Sequence, residues 1–408
     1  LVAAACVMGQ EITPEPGLLT LIRLHLCRIA PTLGYAIGQS NNHATSEAAA
    51  LFIGGSMVGG SDGTRWAAMG RRLLENRARV LIAADGMFSQ YSTVYHRLML
   101  DSYSFAEASK QLYQRVYAAT DWLEHMTNFE TGGVPNLGAN DGAQILAFSR
   151  ADIRDFRPSL QLASTLFRDT RLDRPDTANQ PLIWLGIPPA TKLISPLGSG
   201  TLDGGGLHVV QTKDTTAFLR YPRFHFRPSQ ADALHLDLWF KGRNLLRDAG
   251  TYSYNSTPED LTYFSGTSSH NTVQFDGRDQ MPRLGRFLFG KWLQAEDVIS
   301  VSEEAEGITA GAAYRDHLGA RHGRQISLAP NELTVRDAIS GFSKQAVLRW
   351  RLAPGDYSIT SDGITGECLE MAITSTMTIG KMALITGEES LYYLRKQLLP
   401  VLEVTFDQ

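Results

Sequence analysis

Three consecutive residues, Tyr95, His96 and Arg97, place a phenol, an imidazole and a guanidinium in one short segment, DGMFSQYSTVYHR (residues 85–97). A phenol is a slow base at its usual pKa, so proton transfer through Tyr95 requires a cationic or hydrogen-bonding neighbourhood. His43, His96 and Arg97 are candidates to supply it, His43 coming with Asn42 from SNNHATSEAAA (residues 40–50). That stretch sets two asparagines and a histidine directly before an alanine-rich helical run. One side-chain oxygen is enough to cap a helix. The surplus amide and imidazole add directed donors to a helix start whose free N–H groups and dipole already favour an anion. An N-cap followed by a surface histidine explains the same residues without chemistry. On a helix, successive positions differ by about 100°, so Tyr95, His96 and Arg97 cannot all face the core.

Two further stretches carry polar groups of the right kind. PNLGANDGAQ (residues 135–144) is a turn by composition, and a rigid turn can aim Asn140 and Asp141 into a cleft. In RPSQADALHLDLWFKGRNLLRDAGTYSYN (residues 227–255), strand alternation puts Leu234, Leu236 and Leu238 on one face and His235, Asp237 and Trp239 on the other. The second face reads as a ligand wall, with His235 and Trp239 as sugar contacts. Gln230, Asp248 and His270 are candidate ligands for a structural zinc or calcium ion, although Gln is a poor zinc donor. A hydrogen-bonded polar cluster is the competing reading. Arg97, Arg157 and Arg227 are candidate substrate contacts, because a planar guanidinium matches a carboxylate or sulfate in bidentate fashion.

The elements that must position these groups change character along the chain. GLLTLIRLHLCRI, SEAAALFIGGSMV, RWAAMGRRLLENRARVLIAA, TVYHRLMLDSY, LYQRVYAATDWLEHM and PSLQLASTLF all repeat apolar residues at three- and four-residue spacing. No strand alternation interrupts them, so residues 1–190 read as paired helices in a solenoid or toroid. From about residue 195, TTAFLRYPRFHF, LHLDLWF, HNTVQF, ELTVRDAI, AVLRWRL, YSIT and LEMAITSTMTI are short β-rich runs between turns. Residues 195–408 read as an antiparallel β-sandwich, and the whole as a multidomain α+β chain. The 408 residues favour two domains, and the net charge of -4 with 20% charged residues offers no basic field for nucleic acid. No apolar run reaches membrane-spanning length. Cys6, Cys27 and Cys368 match no metal spacing. The opening LVAAACVMGQ does not start with Met and has no basic run, and is not read as a signal peptide.

NNHATSEA, DG followed by STVYHR, PNLGANDGA followed by DFRP, QADALHLDLW, RDAGTYSYN and SSHNTV, in this order across residues 35–285, resemble the heparinase II/III-like polysaccharide lyases. The resemblance implies an α/α toroid, incomplete at its start, followed by an antiparallel β-sandwich. It implies β-elimination at C4 of a uronic acid, with Asn42 and His43 neutralising the carboxylate and Tyr95 acting as base, acid or both. It implies no cofactor for the chemistry, an acidic polysaccharide or oligosaccharide partner, and a periplasmic, cell-surface or secreted location, with any export signal outside this sequence.

The chain departs from the family pattern in one loop. Alignment on ADAL and DAG places Pro228 where the family has a catalytic histidine and Gln230 where it has a zinc ligand, while Asp248 and His270 are retained. His225 and His235 are the nearby alternatives. Two other readings therefore stay open. One is a carbohydrate-binding or exopolysaccharide-processing accessory protein with an eroded site. The other is a glycoside hydrolase using two of Asp85, Asp141 and Asp155 as opposed carboxylates.

Overall fold

A computed structural model describes residues 14–104, 110–173, 176–305 and 307–408. The chain divides into two compact units. The first comprises residues 1–90, 94–134 and 143–197, and the second residues 91–93, 135–142 and 198–408. Two short segments from the helical half of the sequence are thus built into the second unit.

The first unit is mainly helical: α1 (Pro16–Gly38), α2 (Asn42–Val58), α3 (Gly60–Leu81), α4 (Thr93–Tyr103), α5 (Lys110–Met126), α6 (Arg157–Arg168) and α7 (Asp176–Trp184). Proline in the first turn of α1 and of α6 fits a position whose N–H has no helical partner. Ile22, Leu26 and Leu33 of α1 pack with Leu51 of α2 and Trp66 of α3, which is the amphipathic stripe anticipated from their spacing. The α2 and α3 backbones touch closely enough that a Cβ on Gly70 would lie 2.4 Å from the Phe52 nitrogen. From Val94 to Tyr103, α4 is buried on every side. The expectation of an uninterrupted helical half needs correction. Strands β1 (Thr170–Arg171) and β2 (Lys192–Leu193) form a two-residue parallel pair there.

The second unit contains antiparallel sheets. The first is β3 (Gly200–Leu202), β4 (Leu207–Gln211), β5 (Thr215–Arg220), β6 (Leu236–Phe240) and β7 (Arg243–Leu246), paired in chain order. After it come helix α8 (Pro258–Ser265), capped by the Thr257 hydroxyl, and β8 (Val273–Phe275). Then follow a small β9–β10 pair (Arg283–Gly285, Leu288–Phe289) and the meander β11 (Ala295–Glu304), β12 (Gly307–Arg315), β13 (Arg321–Ala329) and β14 (Glu332–Ser340). Next are β15 (Gln345–Arg351), the three-stranded β16–β18 (Tyr357–Ile359, Gly363–Gly366, Glu370–Ala372), and the long hairpin β19 (Ile379–Tyr392) and β20 (Arg395–Asp407). A second four-stranded sheet takes the order β19-β20-β15-β8.

Along β13 burial alternates strictly, sending His322, Arg324, Ile326 and Leu328 inward, as a half-buried strand requires. Strand β4 lies on β12, joined by His208 Nε2 at 3.2 Å from the Gly311 carbonyl. LEMAITSTMTI, read as one strand, is instead β18 and the start of β19 with an irregular link between them. Among the described residues, no helix is long and apolar enough to cross a membrane.

Candidate functional site

The polar start of α2 is built as a helix cap with side chains to spare. Asn41 is the N-cap, its Oδ1 accepting the His43 N–H at 3.0 Å. The Asn42 N–H donates to Gln90 Oε1 at 2.8 Å, and the Ser89 hydroxyl donates to the Ser40 carbonyl at 3.0 Å. The N–H groups of Asn42 and His43 are thus taken up by Gln90 and Asn41, without use of the Asn42 amide or the His43 ring. His43 is exposed and Asn42 half-buried. Burial raises the carboxyl pKa of Glu47, one turn further on, and His43 beside it opposes the rise. Ser89 and Gln90 lead directly into α4, which carries Tyr95, and Ser46 of α2 meets Ser102 of α4 at 3.5 Å. The two helices that bear Asn42, His43 and Tyr95 are thus tied at two points within one unit. Tyr95 is 5% exposed.

His96 and Arg97 do not join that set. The His96 ring is fully buried, stacks on Trp122 at 4.2 Å, and places Nε2 2.8 Å from the Ala119 carbonyl. Burial pushes its pKa down to about 3, so it sits neutral in the core, and the expectation of a catalytic role is corrected to one of packing. Arg97 lies with its guanidinium 4.3 Å from the centre of the Phe156 ring and donates to the Ile153 carbonyl. With 1% of its surface exposed, it props up the 143–153 loop and is not a substrate contact. Asp101, near Arg97, is pushed up to about 6 by burial against the opposing pull of that cation. Arg157 is engaged in bidentate fashion with Asp155 at 2.9 and 2.7 Å, and also donates to the Glu130 carbonyl at 2.7 Å. Its fork is occupied, and so is the Asp155 carboxylate that a hydrolytic pair would need.

In the second unit, Tyr91–Thr93 is laced to the PNLGANDG turn. The Thr93 N–H donates to the Leu137 carbonyl (3.2 Å), its hydroxyl to the Pro135 carbonyl (3.1 Å), and the Ser92 hydroxyl to the Ala139 carbonyl (2.5 Å). Gly138, at φ +75°, allows this approach, because a Cβ there would fall 2.2 Å from the Tyr91 oxygen. Asn140 is 7% exposed, and its Oδ1 accepts the Gly142 N–H at 2.7 Å. It closes its own turn. Asp141 beside it is half-buried.

The expected ligand wall is sealed. Leu234 takes a left-handed φ of +58°, which breaks strict alternation before β6 begins. His235 and Asp237 are fully buried and Trp239 is 8% exposed. Asp237 Oδ1 accepts the Trp239 indole N–H and the Asn244 amide, each at 2.6 Å. Burial raises the Asp237 pKa, and the negative Asp248 adds to this, with His235 and Trp239 opposing. Asp248 goes the other way. Burial would raise it, but His270, His235 and the Gly250 N–H outweigh burial and hold it below the ordinary carboxylate value. His235 and Trp239 therefore hold a polar core together and do not face a sugar.

This core also tests the implied metal. Asp248 Oδ2 lies 2.9 Å from His270 Nδ1 and 3.7 Å from His235 Nε2, and one donor atom from each residue falls within 4.8 Å of the others. Geometry brings in His235, one of the two alternatives named for this loop, in place of Gln230. Gln230 donates its amide to the Gly250 carbonyl at 3.1 Å, and its Oε1 has no hydrogen-bond partner. His235 Nδ1, however, accepts the Asn271 N–H at 3.0 Å, which puts the single proton of the neutral ring on Nε2. A metal at Nε2 would force that proton onto Nδ1, against the Asn271 donor. His235 does not fit as a ligand in this arrangement, and Asp248 with His270 alone falls short of a zinc site.

Several structural residues escaped the sequence reading. Arg324 of β13 pairs with Asp337 at 2.7 and 2.9 Å and donates to the carbonyls of Leu234 (2.8 Å) and Asn271 (2.6 Å), bracing both histidine-bearing loops. The Asn271 amide bonds the Leu236 carbonyl at 2.8 Å, and its Oδ1 accepts the Arg351 N–H at 2.6 Å. Arg220 and Tyr91 are likewise buried and bonded across 129 residues of chain. An inward arginine on the alternating β13 was the one visible signal.

Residues 196–387 match the family model described as heparinase II/III-like, C-terminal. Among solved structures, the chain is similar to a crystal structure of heparinase III, with TM-score 0.70 and 14% identity over 100% of this chain and 66% of that one. It is similar to a heparinase III gene product with TM-score 0.66 and 17% identity, over 90% of this chain and 57% of that one. It is also similar to the heparan sulfate lyase from Pedobacter heparinus, with TM-score 0.61 and 18% identity, over 90% and 57%. At these identities the likeness is one of fold. The chain spans less than two thirds of the length of each of these structures. No curated protein compared with the sequence matches it.

Proposed function

We propose that this chain, whose second unit carries a heparinase II/III-like C-terminal domain, is a polysaccharide lyase acting on a uronic-acid-containing glycan. The helical unit is read as part of an α/α toroid and the sheets of the second unit as a β-sandwich. The domain match over residues 196–387 carries the proposal. The ordered motifs in the helical half and the shared fold support it. The relatives named heparinase and heparan sulfate lyase make an acidic polysaccharide the substrate class to test first, and a periplasmic or cell-surface setting suits such polymers.

The chemistry follows from what a uronate requires. Its C5 proton becomes removable only when the adjacent carboxylate is neutralised and the developing enolate is held by donors. Asn42 and His43 stand at the positive end of α2, where the backbone already favours an anion, and their side chains are not consumed by capping. Tyr95 takes the C5 proton. The bond from C4 to the glycosidic oxygen breaks, that oxygen takes up a proton from Tyr95 or from water, and a C4–C5 double bond remains in the new non-reducing end. No step passes through a metal. The His235–Asp248–His270 cluster is read as a hydrogen-bonded brace for the second unit.

The test is Tyr95→Phe. General acid–base catalysis contributes about 10²–10⁴-fold, so turnover should fall by that factor while oligosaccharide binding is retained. Unchanged turnover would remove Tyr95 from the mechanism. A second reading, a glycan-binding accessory protein, is favoured by Pro228 and by the sealed His235, and it requires binding without any turnover in the unaltered protein.

A further inference from the structure

The loop that follows β5, Arg223 to Arg227, is fixed more firmly than an exposed loop needs. His225 and Arg227 are exposed, Phe224 is buried and Phe226 half-buried. Yet the N–H groups of His225 and Phe226 are both donated to one buried acceptor, the Tyr91 hydroxyl, at 2.8 and 3.0 Å. Water would satisfy these N–H groups on an ordinary surface loop.

Tyr91 itself is strongly held. It is 2% exposed, with a left-handed φ of +52° that is unfavourable for a ring-bearing residue. Its ring meets Phe224 edge-on at 5.6 Å, and the Arg220 guanidinium lies 5.5 Å from its centre. Its carbonyl accepts from Arg220 Nη1 at 3.2 Å, and Arg220 is in turn paired with Asp232 at 2.9 Å. Backbone strain held in place by so many contacts is characteristic of functional sites.

The charges on this loop are not equivalent. Arg223 is neutralised by Asp203, with contacts at 2.7, 2.8 and 3.1 Å. Among the described residues, the side chains of His225 and Arg227 have neither a hydrogen bond nor an ion pair. The loop therefore presents two adjacent basic side chains on a backbone that is already ordered, so less is lost on binding than with a mobile loop.

The geometry points to a glycan subsite formed by His225 and Arg227, which bind a carboxylate or sulfate of an acidic saccharide, with Tyr91 as the residue that positions them. This inference rests on the reading of the chain as acting on an acidic glycan and adds the place where one acidic group is held. Tyr91 touches no substrate; it acts through the loop backbone.

Calorimetric titration with heparan sulfate oligosaccharides and with unsulfated uronate oligosaccharides tests it, using the better-bound of the two. Arg227→Gln should weaken binding about 10-fold or more, the loss of a charge-assisted bidentate contact. KM should rise while kcat changes by no more than about twofold, the mark of a contact made equally in ground and transition states. Tyr91→Phe, which alters one buried oxygen, should raise KM in the same way. The Arg227→Gln/Tyr91→Phe pair should lose much less than the product of the two single losses, because both act through one loop. Arg223→Gln, whose cation is already paired, should bind within about twofold of the unaltered protein. Binding that Arg227→Gln leaves intact overturns this inference alone, as does a Tyr91→Phe loss that multiplies fully with it. If the unaltered protein binds neither acidic oligosaccharide, the functional reading fails, and this inference with it.

Discussion

The start of α2 and the core around Asp248 use nearly the same side chains, an asparagine and a histidine in one case and histidines with aspartates in the other. Their surroundings set them apart. At α2 the backbone is satisfied by Asn41, Gln90 and Ser89, leaving Asn42 half-buried and His43 exposed. Around Asp248 every ring is sealed: Asp248 meets His270 Nδ1 and the Gly250 N–H, His235 Nδ1 accepts the Asn271 N–H, and His235 Nε2 and His270 Nε2 have no hydrogen-bond partner. The first arrangement leaves donors for a ligand. The second uses its donors to hold loops in place. Residue type alone does not separate a site from a brace; the separation comes from where the hydrogen bonds already go.

That contrast can be broken by substitution. Asp248→Ala should cost the fold about 3–5 kcal/mol in urea denaturation, since it strands the His270 and Gly250 donors in a dry core. A loss under about 1 kcal/mol would mean that the cluster is not a brace. Asn42→Ala should leave the denaturation midpoint nearly unchanged and lower kcat/KM about 10²–10³-fold, as for removal of one oxyanion donor. The reverse pattern would exchange the roles of the two regions.

Acid sharpens the comparison further. His96 has a folded pKa of about 3, below its ordinary value of 6.5. The unfolded chain therefore takes up the proton first, and stability contributed by the neutral ring is lost as pH falls from about 6.5 towards 3. The slope is about 1.4 kcal/mol per pH unit for this one group. His125 and His208, each pushed down to about 4 by burial, add to it in the same direction. Urea midpoints measured across that range should fall less steeply for His96→Gln than for the unaltered protein, and equal slopes would count against burial of a neutral ring. The smallest expected effect is that of a chelator. If His235 keeps its proton on Nε2, EDTA should leave the melting temperature unchanged, whereas a clear drop reversed by zinc would show a metal held there.

Much of the helical half was legible because burial there follows a simple period. Ile22, Leu26 and Leu33 face inward at the spacing their types suggest. The strict alternation of β13 was not read, because its inward set mixes His322 and Arg324 with Ile326 and Leu328. What escaped was set by backbone contacts that leave no mark on side-chain type. The β1–β2 pair is two residues long and parallel, too short for any pattern. Tyr91–Thr93 groups with the second unit through carbonyls of Pro135, Leu137 and Ala139, which any residue could offer. His235 was set against a ligand wall because alternation was extended through Leu234, whose left-handed φ redirects the chain. His96 and Arg97 were read as chemical because they neighbour Tyr95. Contacts that a single sequence does not announce hold them in the core, His96 against Trp122 and the Ala119 carbonyl and Arg97 against Phe156 and the Ile153 carbonyl.

The most direct measurement is the nature of the cleaved end. The unaltered protein is incubated with heparan sulfate and with unsulfated uronate polymers, and the ultraviolet absorbance of the conjugated C4–C5 double bond is followed beside the count of new reducing ends. One double bond for each new reducing end is expected for elimination. New reducing ends whose uronates remain saturated would contradict it and show that water, not a double bond, completes the cleavage.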